Sequence, residues 1–235
     1  MSKSRGNVVN PDEYIEAYGT DTMRVYLAFM APLDQGGDFR DAGIAGITRF
    51  LNRVWNFISS REESAPQKAK PNTPEKKALD RMLHKTIKKV GEDIENLQYN
   101  TAISALMILL NEFEAKADLV RRDNMAVFLK LLAPFAPHIA EELWHTNSFS
   151  PSKKWQSIHR EPWPAYQTKL LREESREFVI QINGKVRDTF TAAINIAEKE
   201  AIELTLAREK IKIFLADREP KKIIFVPGRL VNVVI

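Results

Sequence analysis

Apolar positions recur along most of this chain at spacings of three and four, and near its C-terminus the spacing falls to two. Asn10 stands before Pro11, with Glu13 three residues after the cap, which predicts a box-capped helix running to Ala17 or Tyr18. Gly19 supplies a left-handed stop, and Thr20 is placed to cap a second helix, "DTMRVYLAFM", which Pro32 ends. "APLDQGGDFRDAG" reads as a connector. In "IAGITRFLNRVWNFIS" the residues Ile44, Ile47, Phe50, Leu51, Val54, Phe57 and Ile58 share one helical face, the signature of a core-facing helix. "REESAPQKAKPNTPEKK" is a polar linker, at whose end Thr73 and Pro74 announce a long helix. There Leu79, Leu83, Ile87, Val90, Ile94 and Leu97 form an apolar stripe, and Lys77, Arg81, Lys85 and Lys88 a basic one. Asn100 or Thr101 is expected to cap "AISALMILLNEFEAKA", and "NMAVFLKLLAPFAPHIAEELW" gives two further segments broken around Pro134 and Pro137. Residues 41 to about 147 therefore predict a helical bundle.

"NSFSPSKKWQSIHREPWPAYQTK" has little periodicity and reads as a packed linker. After it "REFVIQINGKVRDTFTA" alternates on both sides of Asn183-Gly184, a favoured dipeptide for a tight hairpin turn. An amphipathic helix over about 197 to 216 and two strands around Pro227-Gly228 complete a ββαββ unit over 173–235. The fold class expected is mainly α: a helical bundle followed by a small α+β domain. The domain division expected is 1–40, 41–150, a linker at 151–172, and 173–235.

Composition narrows the class. At 235 residues, 44% hydrophobic and 28% charged, the chain can bury more than one core. It contains no cysteine, which removes disulfides and thiolate metal sites and suits a reducing, cytoplasmic setting. The first twenty residues are polar, and no run of eighteen apolar residues follows, so no membrane role is expected. The net charge of +4 and pI near 9.2 are compatible with a polyanionic partner, but 35 basic against 31 acidic residues is a mild excess.

Two constellations could carry chemistry. In "MSKSRGN", Ser2 and Ser4 are small donors, Lys3 is a mobile point charge, and Gly6 lets backbone amides approach a ligand closely, which together suit a phosphate. Taken alone, the same stretch reads first as a poorly ordered terminus with a chance lysine. His138, Glu142 and His145, at i, i+4 and i+7, fall near one face of a helix starting at Pro137, as a zinc site requires. They lack the spacing of a zinc-protease helix, and ordinary surface polar residues are the default, so no metal site is expected.

The opening stretch does not stand alone. "MSKSRGNVVNPDEYIEAYGTDTMRVYLAFMAPLDQ" resembles the signature loop and following helices of class I aminoacyl-tRNA synthetases, whose KMSKS motif precedes Gly-Asn and a Pro-Asp or Pro-Glu helix start. "RFLNRVW" at 49–55 and "LLAPFAPHIAEELW" at 131–144 resemble the anticodon-binding bundle shared by the leucyl, isoleucyl, valyl and methionyl enzymes. "FVIQINGKVRDTF", the helix after it and "KKIIFVPGRLVNVVI" are similar to the small C-terminal domain of bacterial-type leucyl-tRNA synthetases. The isoleucyl enzymes commonly end in a cysteine-ligated zinc module and the valyl enzymes in a coiled coil, and this sequence has neither feature.

The resemblance implies that Lys3 is the second lysine of the motif and a catalytic residue, with Met1, Ser2, Lys3 and Ser4 forming the ATP-binding loop. It implies tRNA contact by Arg49, Arg53 and Trp55 in the bundle, where arginines bind phosphate and an indole stacks, and by Lys185 and Arg187 near the hairpin tip. A solvated arginine pair beside a core tryptophan, and two exposed basic side chains at a turn, are the alternatives at those positions. The partners implied are tRNA(Leu), with leucine and ATP with Mg2+ in the intact enzyme; a monomer is expected, with no cofactor bound to this portion alone. Two departures stand out: the leading lysine of the motif would precede Met1, and Arg5 replaces a common lysine. With no HIGH motif and no parallel α/β pattern present, this sequence is expected to be the C-terminal part of a longer enzyme and inactive alone. A stand-alone helical RNA-binding protein, or an interaction scaffold without nucleic acid, are the other readings.

Overall fold

The computed structural model describes residues 4, 8–35, 37–61, 73–147, 149, 155–171, 175–215 and 220–235. Two compact units emerge, Met1–Leu171 and Arg172–Ile235.

The larger unit is helical. Helices α1 (Pro11–Tyr18) and α2 (Thr20–Phe29) lead into α3 (Asp41–Ser59), α4 (Pro74–Glu95), α5 (Tyr99–Ala115), α6 (Arg122–Leu132), α7 (Pro137–Thr146) and the short α8 (Thr168–Leu171). Every apolar position singled out on α3, from Ile44 to Ile58, is buried. These residues meet Leu106, Leu109, Leu110 and Phe113 of α5 and Phe128 of α6, and Phe113 stands between the rings of Phe57 and Phe128 at 6.2 and 5.9 Å. Each such side chain contributes about 1.5–3 kcal/mol by leaving water. Val25 and Tyr26 of α2 lie in this same core, so α2 packs as a member of the bundle.

The caps follow local chemistry. The Asn10 side chain accepts from Asp12 N at 3.2 Å, and Thr73 accepts from Lys76 N at 3.2 Å, each ahead of a proline in the first turn. Four local expectations need correction. Among the described residues Glu13 makes no return bond to Asn10, so a simple cap replaces the box. Gly19, with φ +87°, occupies the cap position of α2, and Thr20 is already helical. Leu97 does not extend the α4 stripe: it is exposed with φ +59°, because α4 ends in a Schellman turn in which Gln98 N donates to Asp93 O and Leu97 N to Ile94 O. The turn is that tight, so α5 begins at Tyr99 rather than after Asn100 or Thr101.

The segment 155–171 packs against the bundle through identifiable bonds. Glu141 of α7 accepts from Ser157 Oγ at 2.8 Å and from Ile158 N at 3.1 Å, and Ile158 is buried. Lys130 of α6 pairs with Glu161 at 2.9 Å. Burial lowers the pKa of His84 on α4, favouring a neutral ring whose Nδ1 accepts from Gln167 N at 3.2 Å.

The smaller unit contains strands β1 (Ser175–Ile182), β2 (Lys185–Ala193), β3 (Lys222–Val226) and β4 (Leu230–Val234), with α9 (Glu198–Ala207) and α10 (Glu209–Leu215) between β2 and β3. The sheet order is β2-β1-β4-β3: two antiparallel hairpins joined by a parallel β1–β4 seam. Phe178, Ile180, Ile182, Phe190, Val231 and Val233 pack with Ala201, Ile211 and Leu215 from the helices. The single helix expected over about 197–216 is broken at Arg208, whose backbone is extended with ψ 131° and whose side chain pairs with Asp188 on β2. The chain is thus mainly helical with a small α+β unit.

Candidate nucleic-acid interface

Met1, Ser2 and Lys3 of the expected nucleotide loop lie outside the described residues, and Ser4 is exposed. The two basic surfaces expected to meet RNA lie on described elements.

On α3 the polar side presents Arg49, Asn52, Arg53 and Asn56, at spacings of three, one and three and all exposed. Arg53 is already engaged: its guanidinium donates to Asn111 Oδ1 at 2.6 Å and forks onto both oxygens of Glu114, tying α3 to α5. The Glu114 bonds raise its pKa further above the ordinary arginine value. Arg49 makes no side-chain hydrogen bond or ion pair with any described residue, so its charge is open to a phosphate. Trp55 is 39% exposed at the margin of the buried face, so it is not the core tryptophan of the alternative reading.

Ion pairs along α4 engage Lys88 of the basic stripe and two lysines beside it. Lys88 lies 3.6 Å from Glu92, and beside the stripe Lys89 holds Asp93 at 2.7 Å while buried Lys76 pairs with Asp80. These are all i, i+4 pairs on one helix. Lys77 and Lys85 are exposed, and Arg81 is half-buried. Alongside runs a groove of about 500 Å³ between Lys88, Gly91, Glu92 and Glu95 and the exposed Trp163 and Tyr166. By sequence those two aromatics belong only to a packed linker; their one signal is large aromatic side chains in a proline-rich stretch.

In the smaller unit Asn183 and Gly184 adopt φ +48° and +78°, as a two-residue hairpin turn requires. Gly184 N donates to Asn232 Oδ1 at 3.1 Å and Ile235 N to Asn183 Oδ1 at 3.1 Å, bracing the turn against β4. Both basic residues beyond it are exposed, but not by simple alternation. Ile180 pairs with Asp188 and Gln181 with Val186, leaving Arg187 as the extra residue of a β-bulge. A bulge re-aims its side chain, and the Arg187 guanidinium lies 4.4 Å from the Phe214 ring centroid on α10. Lys185 stands opposite Ile182. Asp188, next to the bulge, faces Arg208 and Lys210; the Arg208 hydrogen bond leads the effects that pull its carboxyl below the usual range.

The three residues of the zinc alternative do not converge. His138 Nδ1 lies 2.8 Å from Asp21 Oδ1, and Asp21 Oδ2 accepts from Ile139 N at 2.8 Å, so an aspartate of α2 caps α7. His145 Nε2 lies 2.8 Å from Glu141 and its ring stacks on Trp155 at 5.2 Å. Glu142 is exposed elsewhere on α7. Among the described residues no group of three metal-ligating side chains comes together, and none of the helices is long and apolar enough to cross a membrane.

The described residues form a helical-bundle module with an exposed arginine and an exposed tryptophan on one helix, and a small α+β unit with exposed basic side chains at its hairpin. Residues 76–204 match the family described as the anticodon-binding domain of tRNA ligase, and residues 1–60 the family described as tRNA synthetases class I (M). The chain belongs to the anticodon-binding-domain family of tRNA ligases. Among curated relatives, leucine–tRNA ligases from strains of Dehalococcoides mccartyi are 42% identical over 241 aligned residues, covering 100% of this chain. The chain spans 28% of the length of those ligases. Among solved structures, LeuRS of Agrobacterium radiobacter K84, in a ternary complex with tRNA and LeuAMS, matches with a TM-score of 0.78 and 32% identity over 100% of this chain and 31% of that one. Methionyl-tRNA synthetase of Mycobacterium tuberculosis, in complex with methionyl-adenylate, matches 68% of this chain and 41% of that one at 18% identity and a TM-score of 0.51, a likeness of fold.

Proposed function

We propose that this chain is the tRNA-binding C-terminal portion of a leucine–tRNA ligase that works as a cytoplasmic monomer. The observation that carries the reading is that similarity to leucine–tRNA ligases runs over the whole chain, through the small sheet unit as well as the bundle. In the intact enzyme a leucine carboxylate oxygen attacks the α-phosphorus of ATP, and the bond to pyrophosphate breaks. A ribose hydroxyl of tRNA(Leu) then attacks the leucyl carbonyl, and AMP leaves.

Negative charge grows on the departing pyrophosphate, and the Lys3 ammonium, with Met1, Ser2 and Ser4 shaping the loop, is the group proposed to meet it. A contact that strengthens in the transition state raises turnover rather than ground-state affinity. ATP is proposed to enter the intact enzyme with Mg2+. The division of labour proposed is loop and helices at 1–40, tRNA positioning at 41–150, a linker at 151–172, and a second tRNA contact at 173–235. Arg49 and Trp55 are the bundle's proposed contacts, with Arg53 placed beside them and held by Glu114, and Lys185 and Arg187 those of the hairpin.

Two measurements test this. Lys3→Ala in the intact ligase should lower ATP–pyrophosphate exchange by roughly two to three orders of magnitude; unchanged exchange sinks the catalytic role. Lys185→Ala/Arg187→Ala should weaken tRNA(Leu) retention in filter binding and flatten its salt slope. An unaltered slope removes the hairpin from the interface.

A further inference from the structure

The groove beside α4 differs in chemistry from both basic surfaces. One wall is residues 163–166, in which Trp163 and Tyr166 are 44% and 42% exposed. The segment is held on either side of that wall: Glu161 pairs with Lys130 at 2.9 Å, and Gln167 N donates to His84 Nδ1 at 3.2 Å. Pro162 and Pro164 restrict the backbone around Trp163. The two rings are thus presented with little freedom left to lose on binding.

The other wall is α4. Gly91 lies opposite Trp163, where a Cβ would stand 3.4 Å from the indole Nε1, so the absence of a side chain at 91 keeps this part of the groove open. Glu92 and Glu95, exposed and one turn apart, bring two carboxylates to the groove, and Lys88 brings one ammonium. Lys88 comes no closer than 3.6 Å to Glu92, and Glu95 makes no side-chain hydrogen bond or ion pair with any described residue. The groove is therefore net negative on a chain whose formal charge is +4. Its volume of about 500 Å³ is in the range of sites that enclose a ligand.

Aromatic faces beside a free carboxylate select a cation. The ring quadrupole attracts the charge, and a guanidinium is planar enough to lie on a ring while its N–H groups fork onto a carboxylate. A phosphate backbone meets the opposite here, because Glu92 and Glu95 repel it. We propose that this groove is a docking site for an arginine-bearing, extended segment of a partner protein, the guanidinium being received by the Trp163 and Tyr166 rings and the Glu95 carboxylate. Lys88 then competes with the incoming cation for the acidic side of the groove.

The test is calorimetric titration of an end-blocked tri-arginine peptide into the intact ligase at about 0.15 M ionic strength, where weak surface attraction is screened. Saturable binding is expected, with the neutral isostere tri-citrulline at least about tenfold weaker. Glu95→Gln and Trp163→Leu should each weaken the arginine peptide about fivefold, Trp163→Phe, which keeps a ring, should lose less, and Lys88→Ala should tighten it about twofold. All four side chains reach solvent, so each variant should melt with the parent and retain tRNA(Leu) as the parent does. Absence of saturable binding overturns the proposal, and that includes a groove covered by the ligase's own chain. Equal affinity for the citrulline peptide overturns it too, as does Glu95→Gln or Trp163→Leu within about 1.5-fold of the parent, or a Lys88→Ala variant that binds more weakly. Loss of tRNA(Leu) retention in Glu95→Gln with an unchanged melt assigns the groove to RNA instead.

Discussion

Glu141→Ala should lower the stability of the larger unit by about 2–3 kcal/mol at neutral pH. The carboxylate accepts from Ser157 Oγ and Ile158 N and lies beside His145 Nε2, with His159 Nε2 at 3.7 Å. Ile158 is 3% exposed, so truncation leaves its amide buried without an acceptor, worth about 1–3 kcal/mol, and the Ser157 bond adds to it. The glutamate side chain is itself 23% exposed, which holds the sum toward the lower end. For a unit of this size that is a fall in Tm of about 5–10 °C. All four tryptophans and all five tyrosines precede residue 172, so fluorescence reads this unit without interference from the other. Trp155, stacked on His145, sits next to the perturbation. Burial pushes the Glu141 pKa up, but the bonds from Ser157, His145 and Ile158 outweigh it and the net direction is down. A lowered folded pKa gives stability that is present above the unfolded value of about 4.3 and is lost as pH falls through it toward the folded value. The gap between the parent and Glu141→Gln should therefore close between about pH 5 and pH 3. A Glu141→Ala loss below about 0.5 kcal/mol, or a parent-to-Glu141→Gln gap as wide at pH 3 as at pH 7, refutes this account of how the segment is held.

Three further outcomes are expected. Leu97→Gly should stabilise the larger unit by about 0.5–1 kcal/mol in urea, because φ +59° strains a leucine and not a glycine; a loss would mean the exposed side chain packs productively. Arg53→Ala should cost about 1 kcal/mol through its bonds to Asn111 and Glu114, whereas Arg49→Ala should leave the melt alone and weaken tRNA binding. Equal effects of the two on either measurement would erase the distinction. Asp188→Asn should lower the melt of the smaller unit, followed by circular dichroism, and the difference should vanish as pH falls below the unfolded aspartate value of about 3.9, since the folded pKa is depressed.

The elements most legible in the sequence were those whose period was long and uninterrupted. The α3 face from Ile44 to Ile58 and the alternation of Phe178, Ile180 and Ile182 needed no tertiary knowledge. Boundaries were missed where backbone geometry overrode side-chain preference: Leu97 continues the apolar period of α4 but occupies a left-handed turn, and Arg208 breaks an amphipathic run to reach Asp188. The fate of individual charges was not legible either. Arg49 and Arg53 are alike by pattern, and only the arrival of Glu114 from another helix separates a free guanidinium from a spent one. Glu141 and Asp21 carry no motif, because each acts on a backbone amide or side chain remote in sequence.

The seam between β1 and β4 has a kinetic meaning. Each hairpin of the smaller unit closes locally, but its sheet becomes one layer only when Val179 to Ile182 meet Leu230 to Val233 across the length of the intervening helices. Parallel, non-local pairing is the slow event in small folds. The assembly of this unit is thus timed by one four-residue register, and until that register is found both hairpins present open edges to other chains.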